Sequence, residues 1–199
     1  MQSGSARCCS QERSRGRAAR ALVLLAAGVI LECVVFGQSG PTSEYEVKAA
    51  FLFHFAEFVD WPPEAFKNGA SPITYCTLGE DPFQGALDAS LSGKVIGSRP
   101  VRVMHLKKAE EIPECQILFV GAMEKKRMST LLASLKGSPV LTVGDADHFV
   151  SEGGVIGFCL EEKKIRFEIN LNAATEAKLK LSAKLLSLAK TVIGDPRAH

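Results

Sequence analysis

Few residues in this chain have the types and spacing that chemistry needs. The histidines are His54, His105, His148 and His199. A metal or proton-transfer role would require each to have a partner nearby. Only Asp145-Ala146-Asp147-His148 supplies one, with two carboxylates and an imidazole in four positions. Hard-cation loops use more oxygen ligands than this. Asp145 therefore reads as the cap of a helical turn, its neighbours as water-facing, and no metal is assigned. Ser187-Leu188-Ala189-Lys190 has the spacing of a serine–lysine nucleophile pair. A match this short recurs by chance, and it falls on the polar side of the expected last helix, so it reads as a solvated face. Lys178, Lys180, Lys184 and Lys190 read the same way. Phosphate loops of the GxxxxGK[ST] type, GxGxxG and CxxC are all missing. The reading is a binding protein rather than an enzyme, with no catalytic residue and no cofactor.

Two groups remain. Phe51, Phe53, Phe55, Phe58 and Trp61 concentrate aromatic surface in one short stretch. Phe51, Phe55 and Phe58 share a helical stripe and read as core. Phe53 falls on the other side, and Trp61 sits at a proline stop, so these two are candidates for a partner surface, where aromatics are enriched. Cys76 and Cys115 lie on or beside separate expected strands. They are either a disulfide closing a loop of about 40 residues, worth roughly 4 kcal/mol in the chain-entropy model, or two small buried hydrophobes.

The elements that must position these residues follow from periodicity. Ser43-Glu44-Tyr45-Glu46 has the form of a capping box. The helix it opens carries Val47, Ala50, Phe51, Phe55, Phe58 and Val59 on one stripe and stops at Asp60-Trp61-Pro62-Pro63. Strands are expected at Ile73–Leu78, Pro100–Met104, Cys115–Val120 and Val140–Val143. The continuous apolar run Cys115–Val120 suggests burial on both faces. Helices are expected at Pro82–Ala89 and Glu124–Lys136, with a helical turn at Asp145–Val150. Val155–Leu160 and Ile165–Ile169 form an antiparallel hairpin across Glu161–Lys164. Ala174, Ala177, Leu181, Leu185, Leu188 and Val192 predict one long last helix, capped by Asn172 and Gly194. The fold class is α/β: a three-layer αβα sandwich whose mostly parallel sheet carries an antiparallel edge hairpin. Ligands of such sheets sit at the carboxyl ends of the strands. The expected mouth is Gly79–Phe83 with Gly144–Gly154, and Gly79, Phe83, Asp145 and Phe149 are its candidate ligand-binding residues.

The first 37 residues read as an address. A basic segment from Arg13 to Arg20 precedes the apolar run Ala21–Leu31, and Val35-Phe36-Gly37 offers a cleavage site. The apolar run is about half the roughly 20 residues a spanning helix needs. The expected order is a signal peptide over 1–37, a linker over 38–43, an α/β domain over 44–194 and a tail over 195–199. The formal charge of +2 is uneven, because residues 1–37 carry five arginines against Glu12 and Glu32. The remaining domain is close to neutral, which gives no electrostatic case for nucleic acid or anionic membrane. Cysteines outside the cytosol tend to pair. Cys76, Cys115 and Cys159 remain after the signal, so at most one internal bridge forms and one thiol is left over.

An ordered set of motifs resembles the YfiR-like periplasmic proteins. It starts with Phe55-Ala56-Glu57-Phe58-Val59-Asp60-Trp61-Pro62, then Tyr75-Cys76-Thr77-Leu78-Gly79 with Pro82-Phe83. Gly93-Lys94, Arg99-Pro100-Val101 and Cys115-Gln116-Ile117-Leu118-Phe119-Val120 follow. Leu141-Thr142-Val143-Gly144-Asp145, Phe149, Gly153-Gly154 and Ile165-Arg166-Phe167-Glu168-Ile169-Asn170 complete it. The resemblance implies a periplasmic repressor that docks on the sensor domain of a membrane-bound diguanylate cyclase and restrains cyclic-di-GMP synthesis. It also implies a redox-responsive homodimer and a Cys76–Cys115 bridge. A second cysteine pair of the family is not reproduced, since Cys159 has no nearby partner. A periplasmic small-molecule binding domain is the alternative, and a bound ligand could bias docking.

Overall fold

The computed structural model describes residues 43–121 and 125–194. The expected signal peptide, all of the linker but Ser43, the tail and Glu124 lie outside the described residues. The capping box forms: the Glu46 amide donates to Ser43 Oγ at 3.2 Å, and the Ser43 amide to Glu46 Oε2 at 2.7 Å. It opens α1 (Glu44–Glu57). The buried face of α1 is rotated from the expected stripe. Lys48, Ala49, Leu52, Phe55 and Ala56 are buried, Phe51 lies at the margin and Ala50 is exposed. The small Ala49 and Ala56 let the helix seat closely, while Phe51 reaches Phe158 and Phe167 from the rim, with ring centroids 6.0 and 5.8 Å away.

The chain then runs through β1 (Val59–Asp60), a 3₁₀ turn at Pro63–Ala65 and β2 (Ile73–Leu78). Next come α2 (Ala86–Leu91), β3 (Val95–Ile96), β4 (Arg99–Leu106), a 3₁₀ segment at Ala109–Glu114 and β5 (Ile117–Val120). After these lie α3 (Lys125–Ser134), β6 (Leu141–Gly144), β7 (Ile156–Glu161) and β8 (Lys164–Asn170). The last elements are α4 (Leu171–Glu176), β9 (Lys180–Leu181), α5 (Ala183–Leu188) and β10 (Thr191–Ile193). The main sheet has the order β10-β8-β7-β6-β5-β2-β4-β3. Its β4, β2, β5, β6 and β7 are successively parallel, and β7–β8 is the expected antiparallel hairpin. β10 adds one more parallel strand outside that hairpin.

Strand alternation feeds two cores. Ile73, Tyr75, Ile117, Phe119, Leu141 and Val143 join the cluster under α1, α2, α4 and α5. Cys76, Leu118 and Val120 join the cluster under α3 and the Ala109–Glu114 segment, with Met128, Leu132 and Ile112. Every residue of β5 is buried, as a strand covered on both faces requires.

Three expected elements take other forms. The helix expected from Pro82 begins only at Ala86. Gln84 and Gly85 adopt left-handed backbone, and the Asp81 carboxylate accepts from the Phe83 and Gly85 amides, holding the segment as a turn. Asp145 does not cap a helical turn, because its carboxylate is taken by Lys48 and Tyr45. Residues 146–153 make successive turns, with His148 at φ 64. The single last helix is broken. Lys178 turns left-handed at φ 57, and Lys180–Leu181 pairs with Val59–Asp60 as a two-stranded sheet. Ser182 then caps α5 by accepting from the Leu185 amide. Asn170, not Asn172, caps α4. Two β pairings and a second cap outweigh the helical periodicity of this stretch.

Candidate functional site

The parallel strands end together at one edge of the sheet. Gly79 follows β2, Gly121 follows β5 and Asp145 follows β6. The direction in which successive strands are added to the sheet reverses between β2 and β5, since β4 lies on one side of β2 and β5 on the other. That reversal is where open α/β sheets leave a crevice.

The amino end of α1 meets this edge. Lys48 Nζ lies 2.7 Å from Asp145 Oδ2 and 2.6 Å from Glu44 Oε1, and the Tyr45 hydroxyl donates to the same Asp145 oxygen at 2.9 Å. The Lys48 and Asp145 side chains are only 4% and 8% exposed, so this ion pair is buried. Burial pulls the Lys48 ammonium down, but its hydrogen bonds to Asp145 and Glu44 outweigh that and leave it above the ordinary lysine range. Burial, then the hydrogen bond to Asp145, pushes the Tyr45 hydroxyl up. Asp145 Oδ1 is enclosed and has no hydrogen-bond partner among the described residues.

Two clefts flank the pair. One, of about 400 Å³, lies beyond β6 and is walled by Glu44, Lys48, Asp145, His148, Phe158 and Glu168. The other, of about 530 Å³, lies over Gly79 and Gly121 and is walled by Tyr45, Asp81, Lys107 and Arg127. The four candidate ligand residues are therefore divided. Asp145 and Phe149 border the first cleft, Gly79 the second. Phe83 is 3% exposed and packs edge-on against Tyr45 and Phe119, centroids 5.4 and 4.7 Å away. Phe149 is buried too, its ring lodged where side chains at Gly144 and Gly154 would stand.

Phe53 is half-buried, with Lys94 Nζ 5.4 Å from its ring centroid. Trp61 is half-buried, and its indole N–H donates to the Gln116 carbonyl at 3.3 Å. Gln116 escaped sequence reasoning. Its side chain accepts from the Thr74 amide at 2.9 Å and donates to the Ala65 carbonyl at 2.7 Å, fastening the loop after β1 to the sheet. A polar residue opening an apolar strand was the available signal. Lys48 was missed as well, because one lysine on a helix resembles every other until its buried acid is known.

Cys76 and Cys115 are joined by a disulfide, with Cα atoms 5.9 Å apart. Cys159 is free and half-buried, and burial pushes its thiol up. Among the described residues, the carboxylate–histidine group close enough to share an ion is Asp81, Asp88 and His105, not Asp145–His148. Its members already have duties: Asp81 holds the turn before α2, and Asp88 pairs with His105 at 3.0 Å. Ser187 Oγ donates to the Lys184 carbonyl, and Lys190 pairs with Glu161 at 3.1 Å, so neither serves the other.

A profile of the YfiR/HmsC-like family matches residues 45–190. The chain belongs to that family. At family level this supports a periplasmic regulator of the cyclic-di-GMP system that acts with a protein partner. Among the described residues, no helix is long and apolar enough to cross a membrane. A solved structure agrees on the α/β fold. A conserved domain protein from Vibrio cholerae O1 biovar El Tor superimposes with a TM-score of 0.50 at 9% identity, over 75% of this chain and 60% of that one. The ABC domain from Streptococcus pneumoniae in complex with L-Trp is a looser likeness, with a TM-score of 0.43 at 13% identity over 65% of this chain and 57% of that one. The chain thus spans about three fifths of the length of these structures.

Proposed function

We propose that this protein docks on the periplasmic sensor domain of a membrane signalling protein and represses a diguanylate cyclase. Family membership over residues 45–190 carries the reading. The docking surface proposed here includes Phe53 and Trp61. Both are aromatic, both are half-buried at the margin of the core, and neither fills its centre. Such residues supply a large share of binding energy where they meet a partner.

The test is crosslinking capture from the membrane fraction of the protein's own cells, using the full chain with a carboxyl-terminal tag. Recovery of a membrane-bound cyclase supports the reading, with a rise in cyclic-di-GMP when the gene is deleted. Phe53→Ala should lower recovery about tenfold, the effect of losing one interface anchor. Lys94→Ala, which removes the cation over that ring without touching the core, should lower it less. Clean capture with no membrane partner, and unchanged cyclic-di-GMP on deletion, would sink the proposal.

A further inference from the structure

We propose that the cleft beyond β6 binds a small organic ammonium ion, a primary amine carried on an apolar body. The shape comes from a mismatch of strand lengths. Pairing of β6 with β7 ends at Gly144↔Gly157, yet β7 runs on to Glu161 and β8 begins at Lys164. The hairpin therefore projects past the end of β6, and the turns after Asp145 close the opposite side. The space, about 400 Å³, falls within the usual range of small-molecule sites, about 300–1,000 Å³. Phe158, Leu160 and Ile165 give it apolar walls, and Gly157 leaves it free of a side chain.

Charge decides the ligand class. Glu44, Asp145, Asp147 and Glu168 line the cleft, and Lys48, the one lysine lining it among the described residues, is already matched by Asp145 and Glu44. Asp147 and Glu168 have no ion-pair partner among the described residues. An anion would be repelled there, and a cation drawn in. The buried carboxylate supplies the second, independent indication. Asp145 Oδ2 receives both Lys48 and Tyr45, while Oδ1 is enclosed and has no hydrogen-bond donor among the described residues. An acceptor left buried without a donor is costly, and such groups usually have a partner when the site is complete. An ammonium group supplies donors, and its apolar body suits the walls.

This inference stands apart from the docking partner, so its failure would leave the capture experiment untouched. The test is thermal melting and calorimetric titration of the purified protein with phenethylamine and with 1,5-diaminopentane, phenylacetate serving as the anionic control. A saturable rise in Tm of about 5–10 °C is expected at a hundredfold excess over Kd. Glu168→Gln should weaken amine binding about tenfold while leaving the unliganded Tm unchanged. Asp145→Asn should weaken it further, with some loss of stability of its own. No saturable response to either amine at millimolar concentration would overturn the proposal. So would an equal response to phenylacetate, or undiminished binding by Glu168→Gln.

Discussion

Lys48 shows how one buried charge organises a site. Taking its ammonium out of water is expensive, and the cost is offset only while Asp145 and Glu44 hold it. Lys48→Met leaves Asp145 buried and uncompensated, and should destabilise the protein by about 3–5 kcal/mol in urea unfolding. The double change Lys48→Met with Asp145→Leu should cost less than the single one, because no charge is then stranded. The pH dependence has a definite sign. A lysine held above its unfolded value contributes stability that is complete below that value and is lost as pH rises through the folded one. The stability gap between the parent and Lys48→Met should therefore stay constant from neutrality to about pH 10 and shrink above it.

At the scale of elements, local chemistry was legible where it was self-contained and illegible where distant strands decided it. The capping box Ser43–Glu46 and the hairpin across Glu161–Lys164 could be read directly, since each rests on neighbours in sequence. The last helix could not. Its apolar spacing is helical, but Leu179 and Leu181 also alternate, and the β1–β9 pairing selects that second pattern. The site divides in the same way. Gly79 and Asp145 could be placed at strand ends from the sequence, whereas the positions of Lys48 and Glu168 depend on which helix and which hairpin converge there. The hairpin turns at Glu162 and Lys163 with φ of 47° and 62°, which Asn-Gly adopts far more readily. Glu162→Asn with Lys163→Gly should raise stability by about 1 kcal/mol, read as a higher Tm. Gly154→Ala should do the opposite. Its methyl group would fall inside the Phe149 ring, and displacing that ring should cost about 1–3 kcal/mol.

For the whole molecule, the covalent link matters most. Cys76 sits inside β2 and Cys115 just before β5, and both are almost wholly buried. Replacing both by alanine should lower stability by roughly 4 kcal/mol, measured as a shift of the urea midpoint. Reductant should act on the native protein only as fast as the sheet opens, because neither sulfur is at the surface. Membership of the YfiR/HmsC-like family does not by itself account for the acidic cleft. That cleft arises from the unequal lengths of β6 and β7 and from the acidic side chains that line it.

The same bridge changes what the molecule does when pulled from its ends. The 39 residues from Cys76 to Cys115 cannot pay out while the sulfurs are joined. α2, β3, β4 and the Ala109–Glu114 segment are then shielded from tension, and force passes directly from β2 to the start of β5. Stretched singly between handles, the oxidised protein should extend roughly 130 Å less than the reduced one, at about 3.3 Å for each residue withheld.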